Sequence, residues 1–158
     1  MSMDTKNHLG HIMIDIETAT DESASILSIA AVEFCLKTGK TGRIFYERVN
    51  SQTSLYKVLY DFRVFLGAFN QGAMHNLPEI CASRIGYYSL ILQNAYRSVF
   101  TPFPWVLLQE CNIQTLNFAI KETPLSKKKP YNALNNCQMQ IQHCSQIYQP
   151  DEILSSYL

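Results

Sequence analysis

Between residues 11 and 50 the apolar positions fall into short runs broken by turn residues, as in a series of strands. "HIMIDIE" (11–17) is Ile-rich and stops at the polar cluster "TATDESAS", which suits a loop. "ILSIAAVEFCL" follows, "KTGKTG" supplies glycines for a hairpin, and "RIFYERVN" alternates as a third strand would. The pattern predicts an antiparallel three-strand meander. Because the first strand is apolar on both faces apart from its acids, it is placed centrally in a sheet covered on both sides.

After residue 50 the period lengthens. Leu55, Val58, Leu59, Phe62, Leu66 and Phe69 step by threes and fours, so "SLYKVLYDFRVFLGAF" reads as an amphipathic helix with Ser54 as N-cap. "NQGAMHNLPEICASRIG" carries Gly and Pro and reads as a loop with some extended structure, and "YSLILQNAYRSVF" reads as a helix halted by "TPFPW". "NIQTLNFAIKE" suits a short helix and "TPLSKKKPYN" a polar connection. Leu134, Cys137, Ile141, Cys144 and Tyr148 then mark one stripe of a last helix through "NALNNCQMQIQHCSQIYQ". Strands first and mostly helices after predict an α/β or α+β layered architecture.

The 158 residues, 47% of them hydrophobic, suit one domain with a sizeable core, spanning 1–158 with flexible ends at 1–10 and 150–158. Thirteen basic residues balance thirteen acidic ones, so no global field announces a nucleic-acid partner and any such contact must be local. Five cysteines without a zinc-like spacing point to reduced thiols. With neither an apolar leader nor a bilayer-length run, the sequence predicts a cytoplasmic protein without membrane contact.

The chemistry starts at Asp15 and Glu17. Residues i and i+2 of a strand share a face, so the two carboxylates project side by side and repel unless a cation lies between them. Mg²⁺ and Mn²⁺ prefer such hard oxygen ligands, and a pair of these ions can activate water and steady the leaving oxygen of a phosphodiester. A lone D-x-E equally suits two solvated acids at a strand end. Its place within an Ile-rich central strand is what favours the metal reading.

"MIDIETATDESASILSIAAVEF" resembles the first motif of the DEDDh exonucleases, the DnaQ-like branch of the ribonuclease H-like fold, and most closely its compact, often phage-encoded 3′-to-5′ exonucleases and exoribonucleases. The resemblance runs in order through "FYERVN", "LILQNAYRSVFTPFPW", "NIQT" and "YNALNNCQMQIQHCSQIYQ". It implies a mixed five-strand sheet, the meander plus additional strands, flanked by helices. It also implies four acids holding two metal ions and a His that takes a proton from the attacking water.

Asp15 and Glu17 match this set and the remainder departs from it. The second-motif Asp is replaced by Tyr88 in one register and by Asn76 in another, Asn112 stands where a further Asp is usual, and the final motif reads Y-N-A-L-N. Tyr131 thus occupies the place of the base His and Asn135 that of the last Asp. An amide offers a carbonyl oxygen without charge, so two of four carboxylates cannot dehydrate two Mg²⁺ ions, and the remnant pair could hold one Mg²⁺ or Mn²⁺ at most. A phenol with a reference pKa of about 10 is a poor base at neutral pH. The Trp-rich segment usual before the first helix is reduced to "SQTS", while "HNLPEICASRIGYY" is longer than its counterpart.

These departures predict an impaired or inactive exonuclease-fold protein that acts by binding, such as a phage-encoded inhibitor of host nucleic-acid machinery that contacts a host protein or a protein–nucleic acid complex. The alternatives are a residual metal-dependent 3′-to-5′ exonuclease and a non-cutting module for single-stranded nucleic acid. Lys127, Lys128 and Lys129 could touch phosphates, although short Lys runs are commonly just exposed charge. The nine tyrosines, Tyr56, Tyr60, Tyr87, Tyr88 and Tyr96 among them, could stack on bases or simply fill the core.

Overall fold

The computed structural model describes residues 9–20, 24–67, 78–104, 110–112 and 132–147. In chain order these form β1 (His11–Thr18), β2 (Ile26–Phe34), β3 (Thr41–Arg48), α1 (Leu55–Phe65), β4 (Glu79–Ala82), α2 (Ile85–Ser98), β5 (Glu110–Asn112) and α3 (Ala133–Ile147). The strands make one mixed sheet ordered β3-β2-β1-β4-β5, with β1 antiparallel to β2, β2 antiparallel to β3, and β4 parallel to both β1 and β5. β1 is therefore central, as its two apolar faces demand, and the α/β arrangement is compatible with a ribonuclease H-like exonuclease fold.

The meander closes through the predicted glycine turn. Gly39 sits at φ +70, a conformation that a side chain would strain, and its N–H donates to the Cys35 carbonyl at 2.8 Å. At the head of α1 the Ser54 hydroxyl accepts from the Lys57 N–H, so the predicted cap is formed.

The period-two pattern of β1 sorts its residues between two cores. Ile12, Ile14 and Ile16 face α1 and α2 with Ile29, Phe45, Leu59, Phe62, Leu92 and Tyr96. Met13 faces the other way, where Ala30, Val32, Phe34 and Cys81 meet Ala133, Cys137, Ile141 and Cys144 of α3. The stripe read along the last helix is thus the face that packs on the sheet, and Leu134 lies at its half-buried margin. Tyr148 lies outside the described residues.

Several boundaries differ from expectation. α2 starts at Ile85 rather than near Tyr88, because Ile85 belongs to the same buried face as Leu92 and Tyr96. Asn112, expected to open a short helix, instead ends β5 beside Ala82, so strand pairing overrides the local preference; residues 113–122 of that segment lie outside the described residues. Gly10, expected in a free end, accepts the Glu79 N–H at 2.9 Å and so starts the β1–β4 pairing. Cys35, Cys81, Cys137 and Cys144 are buried and in no disulfide among the described residues, in keeping with reduced thiols. Among the described residues no helix is long and apolar enough to cross a membrane.

Candidate active site

The parallel pairing of β1 with β4 covers only His11 to Met13, and the chain leaves β4 for α2 soon afterwards. Beyond Met13, among the described residues, no strand pairs with the β4 side of β1. Asp15 and Glu17 lie on that stretch, near the carboxyl ends of β1 and β4, where layered α/β proteins place their ligands.

Asp15 is 1% exposed. A carboxylate at that depth needs partners, and among the described residues it has two. The Tyr88 hydroxyl, reaching in from α2, donates to Oδ1 at 2.7 Å. Asn136 Nδ2, one turn into α3, donates to Oδ2 at 3.1 Å. The carboxylate is thus held from both sides of the sheet by neutral donors. Burial raises its pKa from 3.8 to about 6; the bonds from Tyr88 and Asn136 oppose that rise, Glu17 adds to it, and Arg84 opposes it.

Glu17 is half-buried and makes a different bond. Its cross-strand neighbour is Ser28, whose buried hydroxyl donates to Oε2. Ser28 is paired in turn with Arg48 at the end of β3, so Glu17, Ser28 and Arg48 form one row across three strands. Arg84 ends the β4–α2 turn as the N-cap residue of α2, without a side-chain cap bond. Glu17, Thr18, Arg48, Arg84, Tyr87 and Tyr88 help line a cavity of about 340 Å³ at this end of the sheet.

Tyr88 and Asn136, both neutral donors, stand against the two Asp15 oxygens, where a shared metal ion would need further anionic ligands. Among the described residues no group of three or more His, Cys, Asp or Glu side chains gathers to supply them. Among the described residues the donor set therefore fits a buried, hydrogen-bonded carboxylate and does not fit a two-metal centre.

Of the residues marked in the sequence, the structure brings together Asp15, Glu17 and Tyr88. The amide that meets Asp15 is Asn136, whereas Asn135 uses its backbone N–H to bond the Asn132 side chain at 2.7 Å, closing the cap of α3. Asn136 was legible in principle: it lies three residues after Ala133 and four before Gln140, both buried on the sheet-facing side, and Asn135 is turned away by one helical step. Asn112 has a described backbone in β5 and no described side chain. Asn76, Tyr131 and the lysines at 127–129 lie outside the described residues.

Ser28, Arg48 and Arg84 carried no sequence signal of their own and are found only through strand register. Of the tyrosines, Tyr96 is core: its hydroxyl donates to the Leu59 carbonyl at 2.8 Å and its ring is fully buried. Tyr56, Tyr60 and Tyr87 keep exposed rings. His11, at the start of β1, lies 3.1 Å from the Glu79 carboxylate.

No curated protein matches the chain. Residues 10–58 match the family profile of the 3'-5' exoribonuclease Rv2179c-like domain, a stretch that takes in β1, β2, β3 and the start of α1. In the part of the chain that carries Asp15 and Glu17, the sequence is similar to a 3'-5' exoribonuclease domain and the fold around it is that of an exonuclease-like α/β protein.

Proposed function

We propose that the chain is a catalytically silent exonuclease-fold protein that binds single-stranded nucleic acid without cutting it. The observation that carries this reading is the closure of Asp15 by Tyr88 and Asn136. The resemblance implies that Asp15 shares metal ions with other acids, whereas in this chain a phenol and an amide donate to it. Neutral donors in those places bring no charge with which to share an ion, so hydrolysis loses the cation that would steady the leaving oxygen. Glu17 alone, tied to Ser28, is a poor substitute.

Binding is favoured over complete loss of role because the cleft keeps ligand-binding features. The cavity is bordered by Arg48, Arg84 and the exposed ring of Tyr87. Arginines position phosphates and aromatic rings stack on bases, and neither needs a metal ion. These groups also favour nucleic acid over a host protein as the partner. The chain has no net charge, so the contact is local.

The test is digestion of end-labelled single-stranded RNA and DNA in Mg²⁺ and in Mn²⁺, beside the double variant Asp15→Asn, Glu17→Gln. We expect intact substrate in every lane and a gel shift that weakens as salt rises. Stepwise loss of 3′ nucleotides by the native chain but not by the variant would sink this reading in favour of residual exonuclease activity with one ion on Asp15 and Glu17. Absence of any gel shift would sink the binding half of the proposal.

A further inference from the structure

The cavity beside Glu17 has a charge pattern that the closure of Asp15 does not explain. Among the described residues His11 pairs with Glu79, Arg43 with Glu33, and Lys57 with Asp61. Arg48 and Arg84 are in none of these pairs, yet both line the same cavity, one from the end of β3 and the other from the β4–α2 turn. Two carboxylates, Asp15 and Glu17, lie within or just behind it. The four charges cancel, which is also the balance of four acids with two divalent ions in the metal site that the resemblance implies. Guanidinium groups thus supply, from within the chain, the positive charge that ions would otherwise bring.

Guanidinium is planar, permanently charged and presents paired donors that match phosphate oxygens. Two such groups from different strands and turns complement a phosphomonoester dianion better than a singly charged diester. The volume of about 340 Å³ is at the low end for small-molecule sites and suits a single nucleotide. Tyr87 is 46% exposed at the rim and offers a stacking face. Glu17 gives Oε2 to Ser28, and Oε1 has no partner among the described residues, which leaves an acceptor for a ribose hydroxyl.

We propose that this cavity binds the phosphomonoester of a nucleotide without metal, with Arg48 and Arg84 gripping the phosphate, Tyr87 stacking on the base and Glu17 accepting from the ribose. The proposal rests on the reading of the cleft as a non-cutting nucleic-acid site, and it narrows the ligand to a terminal phosphate. That group could come from a free mononucleotide or from a phosphorylated chain end, and the two arms of the test separate them.

The test is fluorescence anisotropy in EDTA with a 5′-labelled single-stranded RNA carrying either a 3′-phosphate or a 3′-hydroxyl, with AMP as competitor. The phosphorylated RNA is expected to bind about tenfold more tightly than the hydroxyl form, and Arg48→Gln and Arg84→Gln are each expected to weaken it by about tenfold. Both arginines are exposed, and circular dichroism of each variant confirms that it folds. Displacement by AMP at comparable affinity assigns the site to free nucleotides; binding of the phosphorylated RNA that AMP does not displace assigns it to chain ends. Equal affinity for the two RNAs, affinity unchanged in both arginine variants, or binding that appears only when Mn²⁺ replaces EDTA overturns the proposal. Because the assay contains no metal, its failure is distinct from cutting in Mn²⁺, which would overturn the function proposed above.

Discussion

Replacing Asp15 by Asn removes one buried charge and leaves the shape of the site intact. The wild-type carboxyl has its pKa raised from 3.8 to about 6, burial being the largest cause. That gap corresponds to about 3 kcal/mol at roughly 1.4 kcal/mol per pH unit. The folded state holds this proton more tightly than the unfolded chain does. The stability it contributes is therefore complete below about pH 3.8, declines as pH rises, and is lost once pH passes through about 6. Asn carries no charge to desolvate. Its amide oxygen can accept from Tyr88, and its NH₂ can donate to the Asn136 side chain once that amide turns over. The variant is thus expected to be about 2–3 kcal/mol more stable than wild type at pH 8 and nearly equal to it at pH 4. Urea unfolding followed by far-ultraviolet circular dichroism from pH 4 to pH 8 reads the difference directly, because titrations common to both proteins cancel. A difference that does not change with pH, or a variant less stable at pH 8, would refute the claim that Asp15 is a desolvated carboxylate held by neutral donors.

Other perturbations follow from the same geometry. Tyr88→Phe leaves Asp15 Oδ1 without its donor and is expected to cost about 1.5–3 kcal/mol at pH 8 and less at pH 4, where the carboxyl is neutral, in the same urea assay. The double change Tyr88→Asp, Asn136→Asp puts two acids against Asp15; it should destabilise the protein in EDTA and create a rise in melting temperature with Mn²⁺ that the wild type lacks, worth about 2.7 kcal/mol at a hundredfold excess over Kd. Ser54→Ala removes the cap of α1 and is expected to cost about 1 kcal/mol by urea unfolding, at pH 8 and pH 4 alike.

How much of this was legible in the sequence depended on the range of the interaction. The meander, the central place of β1 and the stripe of the last helix follow from periodicity and turn residues alone, and each is present. The pairing of Asp15 and Glu17 on one strand face needed only the alternation of a strand. By contrast, β4 and β5 are four- and three-residue strands whose pairing is set by tertiary contact, which is why a segment read as helical begins at Asn112 with a strand end. The choice of Tyr88 as the partner of Asp15 spans 73 positions, and that of Asn136 spans 121. The motif gives Asn135 the place of the family's last Asp, whereas the amide that reaches Asp15 is Asn136, on the buried side of α3. The row from Glu17 through Ser28 to Arg48 exists only once strand register is known.

The closure of Asp15 is tested most directly by a crystal structure of the protein soaked in Mn²⁺ at pH 8, read in anomalous difference density. The account predicts Tyr88 Oη and Asn136 Nδ2 still on the two carboxylate oxygens and no manganese peak at Asp15. Two peaks bridged by Asp15, with both donors swung aside, would contradict it.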